Sequence, residues 1–117
     1  MAILKRLRLV EQGPLTIVHF NDHKILDEAN IQEMGQELTR LLENADRTNL
    51  LLNFSQVEFL SSAALGKLMS LKRKSKTTGH EIKLCSIRPS ILEIFKLTGF
   101  DKIFDIYADE TAAVDAF

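Results

Sequence analysis

The amino-acid sequence predicts an α/β domain, in which a mixed sheet of about four to five strands carries helices packed against it. A pair of apolar, β-branched segments joined by the turn Gly13-Pro14 opens the chain as a hairpin. Further along, strand-like segments alternate with segments whose apolar residues recur at helical spacing, so the predicted order is β-β-α-β-α-β-α-β-α. A hairpin followed by alternating strands and helices requires antiparallel and parallel pairs in one sheet.

The predicted strands are short apolar or alternating runs bounded by polar residues. They comprise residues 3–10, 15–20, 49–54, 80–87 and 103–107. The continuous apolar run 50–52 is typical of a central strand buried on both faces, although a buried helix segment would look similar locally. In 80–87, Ile82 and Leu84 alternate with Lys83, which indicates two faces of different character.

The predicted helices carry apolar stripes at a spacing of three to four residues. They comprise residues 27–44, 61–76, 89–98 and 110–117. Asp27 or Asn30 can cap the first helix, and Ser61 or Ser62 can cap the second. Gly99 is suited to end the third helix.

Composition narrows the class of protein. A chain of 117 residues with 45% apolar residues is the size of one domain, so we expect a single domain over residues 1–117. The only cysteine, Cys85, has no partner for an internal disulfide, which favours a reducing, cytoplasmic setting. No run approaches the roughly 20 apolar residues of a membrane span, and the first residues lack the apolar core of a signal peptide. A net charge of −1 argues against a nucleic-acid binder.

Catalytic and metal-binding patterns are weak. The three histidines, His19, His23 and His80, have no ligand spacing, and Cys85 is distant from them in the sequence. Residues 60–64 do not form the Gly-x-Ser-x-Gly elbow of a hydrolase, and the glycines are isolated rather than clustered into a phosphate loop. The basic run 72–76 is interpreted as the solvated end of a helix. We therefore expect no enzymatic activity, no metal and no cofactor.

The helix predicted at 61–76 has an unusual outer face. On a helical wheel with about 100° per residue, four apolar residues share the core side. These are Ala64, Leu65, Leu68 and Leu71. Opposite them lie Ser62, Gly66, Ser70 and Arg73, with Met69 on the flank. A solvated face usually carries better helix formers, because an interior glycine costs about 1 kcal/mol relative to alanine. A stripe of small side chains lets another backbone approach, which favours a docking surface.

A simpler interpretation of the same residues stays open. Two serines ahead of an apolar periodic run are a standard N-cap signal, and they need no partner to explain them. On this interpretation Gly66 makes room for a neighbouring loop of the same chain. The residues alone do not decide between capping and docking.

The segment 57–66, Val-Glu-Phe-Leu-Ser-Ser-Ala-Ala-Leu-Gly, resembles the signature of the bacterial anti-sigma-factor antagonists of the STAS family. That signature is Val-x-Phe-Met-Asp-Ser-Ser-Gly-Leu-Gly at the start of a helix, and it aligns without a gap. Gly79, the strand after it, the helix 89–98 and the Leu26-Asp27 pair also follow the family pattern. The resemblance extends over nearly the whole chain and implies a STAS-like fold.

The resemblance implies a function in partner switching. In the family, the serine that follows the aspartate is phosphorylated by a partner that is both an anti-sigma factor and a serine kinase, and this serine is Ser62 here. The unmodified antagonist captures the partner, and a PP2C-type phosphatase restores that form. Together with the outer face of the helix, the resemblance gives the expected partner-binding residues as Asp27, Ser61, Ser62, Gly66, Met69, Ser70 and Arg73. We expect a monomer or weak dimer that binds neither nucleic acid nor membrane.

Two departures from the family pattern leave alternatives. Ser61 replaces the aspartate of the signature, which removes a charge and adds a second candidate hydroxyl for phosphorylation, and Ala64 replaces a glycine. One alternative is a STAS scaffold in a sensory assembly that is never phosphorylated. A second is a STAS domain that binds a small ligand or nucleotide, although the sequence has no phosphate loop.

Overall fold

The computed structural model describes residues 4–43 and 49–117. Strands and helices alternate along most of these residues. In chain order they are β1 (Leu7–Gln12), β2 (Leu15–Phe20), β3 (Lys24–Ile25), α1 (Glu28–Glu43), β4 (Asn49–Asn53), β5 (Phe59–Leu60), α2 (Ser62–Thr78), β6 (Glu81–Cys85), α3 (Pro89–Thr98), β7 (Asp105–Tyr107) and α4 (Glu110–Asp115). A 3-10 turn at Phe100–Lys102 links α3 to β7.

The main sheet has five strands in the order β1-β2-β4-β6-β7. The first pair is antiparallel, with Leu7 opposite Phe20, and the other three pairs are parallel. The predicted fold class is therefore confirmed: an α/β domain with a mixed sheet and helices packed against it.

In the described part of the chain, three helices cover one face of this sheet, and one helix covers the other. The larger core lies between one face and helices α1, α2 and α3, and Leu50 and Leu52 of the central strand point into it. Leu51 points to the opposite face, where it packs with Ala113 of α4. All three leucines are at most 1% exposed, so the prediction of a strand buried on both faces is confirmed.

The sequence prediction missed a second sheet, formed by β3 and β5 in parallel. Two residues per strand are too few to show a period, so neither strand leaves a pattern in the sequence. The strand predicted at 80–87 ends at Cys85, because Ser86 takes a left-handed conformation with a φ of 59°. Helix α2 runs two residues beyond its predicted end, to the left-handed Gly79, whose N–H donates to the carbonyl of Ser75.

Other boundaries also differ from prediction. The first strand begins at Leu7 rather than at position 3, and residues 1–3 lie outside the described residues. Asn44, the predicted end of the first helix, also lies outside them. The last strand is shortened by the 3-10 turn, and α4 ends at Asp115. Within the described residues, no helix is both long and apolar enough to cross a membrane.

Candidate functional site

Helix α2 begins with two serines that have different environments. Ser61 is the N-cap, with φ −80° and ψ 164°, and its hydroxyl oxygen accepts the backbone N–H of Ala64 at 3.2 Å. Its own N–H donates to the carbonyl of Ile25 at 3.1 Å, which ties the start of α2 to β3. Ser62 is the first helical residue and is exposed, and its hydroxyl has no hydrogen-bond partner among the described residues. Ser61 therefore caps the helix, and the hydroxyl of Ser62 is free.

The small sheet of β3 and β5 positions the starts of two helices side by side. Ile25 of β3 pairs with Leu60 of β5, and both side chains are buried. Helix α1 follows β3 and helix α2 follows β5, so their N-termini lie at the same edge. Asp27 caps α1, because its Oδ1 accepts the N–H of Ala29 at 3.1 Å. Asn30, the other candidate cap, lies inside α1.

The outer face of α2 is divided from its core face as the helical wheel predicted. The four core-side residues, Ala64, Leu65, Leu68 and Leu71, are buried. The four outer residues, Ser62, Gly66, Ser70 and Arg73, are exposed. The Ser70 hydroxyl donates to the carbonyl of Gly66 at 3.2 Å, so it turns back onto the helix. Met69 is half-buried and packs against the core, so only part of its side chain faces outward.

Gly66 has open space in front of it. A Cβ built on this residue would have no heavy atom within 4 Å, other than its own helix backbone and chain neighbours. No loop within the described residues approaches it, so the interpretation that Gly66 makes room for a neighbouring loop is wrong for that part of the chain. The interior glycine is not explained by packing within the described chain, although it costs about 1 kcal/mol relative to alanine.

Two exposed apolar residues lie at or next to the β3–β5 sheet, and sequence reasoning missed them. Leu26 and Phe59 are each 53% exposed, and they adjoin the buried pair Ile25 and Leu60. Lys24 lies over the Phe59 ring, with Nζ 5.6 Å from its centroid. The sequence carries no clear signal for their exposure, because β3 and β5 have only two residues each and show no period.

Asn53 shapes the connection that leads to the site. It ends β4, where its Oδ1 accepts the N–H of Ser55 at 2.8 Å and its Nδ2 donates to Glu110 of α4 at 2.9 Å. The first bond sets the turn before β5, and the second anchors α4 to the sheet. Asn53 thus contacts both the turn that precedes β5 and α2 and the helix α4 on the opposite face of the sheet.

The histidines and the cysteine do not converge. Among residues 4–43 and 49–117, no three His, Cys, Asp or Glu side chains are placed to hold a metal ion. His19 lies 3.6 Å from Glu110, and His23 lies 3.4 Å from Glu58. Burial raises the pKa of the Cys85 thiol, which keeps it protonated and unreactive at neutral pH.

Comparison with known proteins gives the same family throughout. The sequence profile of the STAS domain matches residues 6–113. BtrV of Bordetella bronchiseptica, which carries the name of an anti-sigma factor antagonist, is 26% identical over 93 residues, covering 80% of this chain and 79% of BtrV.

Two solved structures share the fold. The anti-sigma-factor antagonist (STAS) domain protein of Planctomyces limnophilus superposes with a TM-score of 0.81 at 20% identity, covering 94% of this chain and 95% of that one. The Bacillus cell fate determinant SpoIIAA, in its phosphorylated form, superposes with a TM-score of 0.70 at 16% identity, covering 94% of this chain and 97% of that one. With its mixed sheet, its capped α2 helix and a profile match over most of its length, the chain belongs to the STAS domain family.

Proposed function

We propose that this protein is an anti-sigma-factor antagonist that binds an anti-sigma factor with serine kinase activity through the outer face of α2. The observation that carries the proposal is the open space in front of Gly66, one helical turn from the free hydroxyl of Ser62. A partner backbone can approach a helix closely only where side chains are absent or small. The name of BtrV and the fold shared with SpoIIAA support the same function.

Ser62 is the proposed phosphorylation site, and Ser61 is the second candidate. The Ser62 hydroxyl is exposed and unbonded, whereas that of Ser61 is occupied by the N–H of Ala64. Phosphorylation of Ser62 therefore breaks no capping bond. Because SpoIIAA has been solved in a phosphorylated form, a protein of this fold accommodates the modification.

The switch acts on the partner rather than on the fold. A phosphate adds about −1.5 to −2 charges at the N-terminus of α2, where the helix dipole and free N–H groups favour an anion. The domain should therefore stay folded when modified. The phosphate blocks binding by occupying the space in front of the small-residue face, and a PP2C-type phosphatase resets it.

Leu26 and Phe59 extend the proposed docking face beyond α2. Each is about half exposed, and both adjoin the β3–β5 sheet that holds the cap of α2. Burial of exposed apolar area against a partner is a general source of binding energy. Asp27, Met69, Ser70 and Arg73 complete the proposed contact residues.

The test compares binding of a candidate anti-sigma factor kinase from the same organism to three variants. Ser62→Ala should bind as the wild type does and should not be released by ATP. Ser62→Asp should bind at least about tenfold more weakly, since a buried unpaired charge is costly at an interface. Ser90→Asp is the matched control, because Ser90 is also exposed in the first turn of a helix, α3. Equal binding by Ser62→Ala and Ser62→Asp contradicts the proposal.

A STAS scaffold that is never phosphorylated is the second candidate, favoured by Ser61 standing where the family carries aspartate. It uses the same docking face without the switch. Intact mass measured after incubation with the kinase and ATP separates the two: a single phosphate lost in Ser62→Ala supports the switch, and an unchanged mass supports the scaffold.

A further inference from the structure

A groove runs between the outward sides of α1 and α2. Its volume is about 390 Å³. The described residues that line it all belong to these two helices: Gln32, Gly35, Gln36, Thr39, Arg40, Lys67, Ser70, Leu71 and Lys74. Ser70 belongs both to this lining and to the outer face of α2, so the groove is continuous with the proposed docking face.

Positive charge is concentrated in the groove. The charged residues that line it are Arg40, Lys67 and Lys74, and the other lining residues are uncharged. Lys74 Nζ lies 3.0 Å from the Glu43 carboxylate, which shows that a carboxylate can sit at this rim. Within the described part of the chain, Arg40 and Lys67 have neither an ion-pair nor a hydrogen-bond partner. Because the whole chain carries a net charge of −1, this is a local feature.

Gly35 positions Lys67 in the groove. A Cβ on Gly35 would lie 3.3 Å from Lys67 Cδ, so the aliphatic chain of Lys67 crosses α1 where α1 has no side chain. Glu43 of α1 pairs with Lys74 at the rim, and two other acids of α1 pair outside the groove. Glu37 accepts the backbone N–H groups of Lys5 and Arg6, and Glu33 pairs with the Arg6 side chain. Among the described residues no acid pairs with Arg40 or Lys67, so two of the three positive charges are not neutralised.

We propose that this groove binds an acidic segment of the protein partner that docks on the outer face of α2, an inference that rests on the proposed function. Charge complementarity and continuity through Ser70 carry it. Nucleic acid fits less well, because single-stranded binding sites combine cations with aromatic side chains for base stacking, and none of the described residues that line the groove is aromatic.

The test is an NMR titration of the protein with hexaglutamate at low ionic strength. Amide shifts should concentrate at residues 35–40 and 66–74. The double variant Arg40→Glu/Lys67→Glu should weaken binding by about tenfold or more, because it reverses two of the three lining charges. The matched control Lys96→Glu/Lys102→Glu makes the same change in net charge at exposed positions near α3, and it should bind within about twofold of the wild type.

Each outcome decides. Absence of shifts, shifts spread over other elements, or equal weakening in the control overturns the groove as the site. Tighter binding of hexathymidylate than of hexaglutamate overturns the choice of a protein segment. If the groove variant loses hexaglutamate but binds the kinase as well as the control does, the docking role is overturned. Equal kinase binding by Ser62→Ala and Ser62→Asp contradicts the proposed function, and this result is independent of the titration.

Discussion

The side-chain oxygen of Ser61 lies 3.2 Å from the backbone nitrogen of Ala64, and this contact separates the roles of two adjacent serines. One hydroxyl completes the first turn of α2. The other, on Ser62, is exposed and makes no hydrogen bond among the described residues. Of the two adjacent serines in this chain, Ser61 therefore caps the helix, whereas the hydroxyl of Ser62 takes no part in the described structure.

Stability measurements should distinguish the two serines. We expect Ser61→Ala to lower the free energy of unfolding by about 1 kcal/mol, because it removes the N-cap oxygen. Ser62→Ala should change it by less than about 0.5 kcal/mol, as is usual for a surface substitution that breaks no contact. Urea denaturation followed by circular dichroism measures both. A larger loss of stability for Ser62→Ala than for Ser61→Ala would show that Ser61 is not the residue that caps α2.

The two helical glycines should respond differently to alanine. At Gly66 the added methyl group meets open space, so Gly66→Ala should stabilise the fold by up to about 1 kcal/mol through helix propensity. At Gly35 the methyl group would lie 3.3 Å from Lys67, so part of that gain is lost as Lys67 shifts. Thermal denaturation of both variants makes the comparison.

Gly66→Ala also tests the docking proposal. We expect this variant to be more stable than the wild type but to bind the kinase less tightly, so that weaker binding cannot be attributed to loss of the fold. Gly66→Leu should weaken kinase binding further while the protein stays folded. Stronger binding by either variant would contradict close approach at this face.

Much of the fold was predictable because burial and periodicity determine it directly. The run 50–52 has no polar interruption, and a strand covered on both faces needs none. The outer stripe of α2 was predictable for a related reason. Its 17 residues give the helical period room to separate the core side from the outer side.

Other features depend on contacts between distant residues. Lys83 alternates with apolar neighbours as a solvent-facing residue would, yet it is only 7% exposed. Its Nζ lies 5.2 Å from the Phe117 ring and 3.3 Å from Asp105, partners that no local pattern reveals. The exposure of Phe59 likewise depends on β3, a strand too short to predict.

Glu37 is a buried carboxylate whose role becomes visible only in the fold. Its oxygens accept the N–H of Lys5 at 3.2 Å and that of Arg6 at 3.1 Å, just before β1. Glu37→Gln should lower the free energy of unfolding by about 1.5–3 kcal/mol. Hydrogen bonds to a charged group are lost, and the NH2 group of the new glutamine would face a backbone N–H, which is also a donor. Chemical denaturation measures the loss.

Glu33→Gln is the matched control for this prediction. Among residues 4–43 and 49–117, Glu33 bonds only the side chain of Arg6, at 3.4 Å, and it is partly exposed. Its substitution should therefore lower the free energy of unfolding by less than about 1 kcal/mol. Hydrogen exchange at Lys5 and Arg6 should rise in Glu37→Gln alone. Equal exchange in both variants would show that Glu37 does not hold the segment before β1.

His19 should make the fold sensitive to acid. Burial lowers the pKa of His19, nearby Arg8 lowers it further, and Glu110 at 3.6 Å opposes the shift. The unfolded chain, with an ordinary histidine pKa of about 6.5, takes up protons before the folded chain does as pH falls. The stabilising contribution of neutral His19 is therefore complete above that pKa and is lost below it. Free energies of unfolding at pH 7.5 and 5 should differ less in His19→Gln than in the wild type, and Glu110→Gln should increase the difference. An NMR titration that gives His19 a pKa above its ordinary value would contradict this prediction.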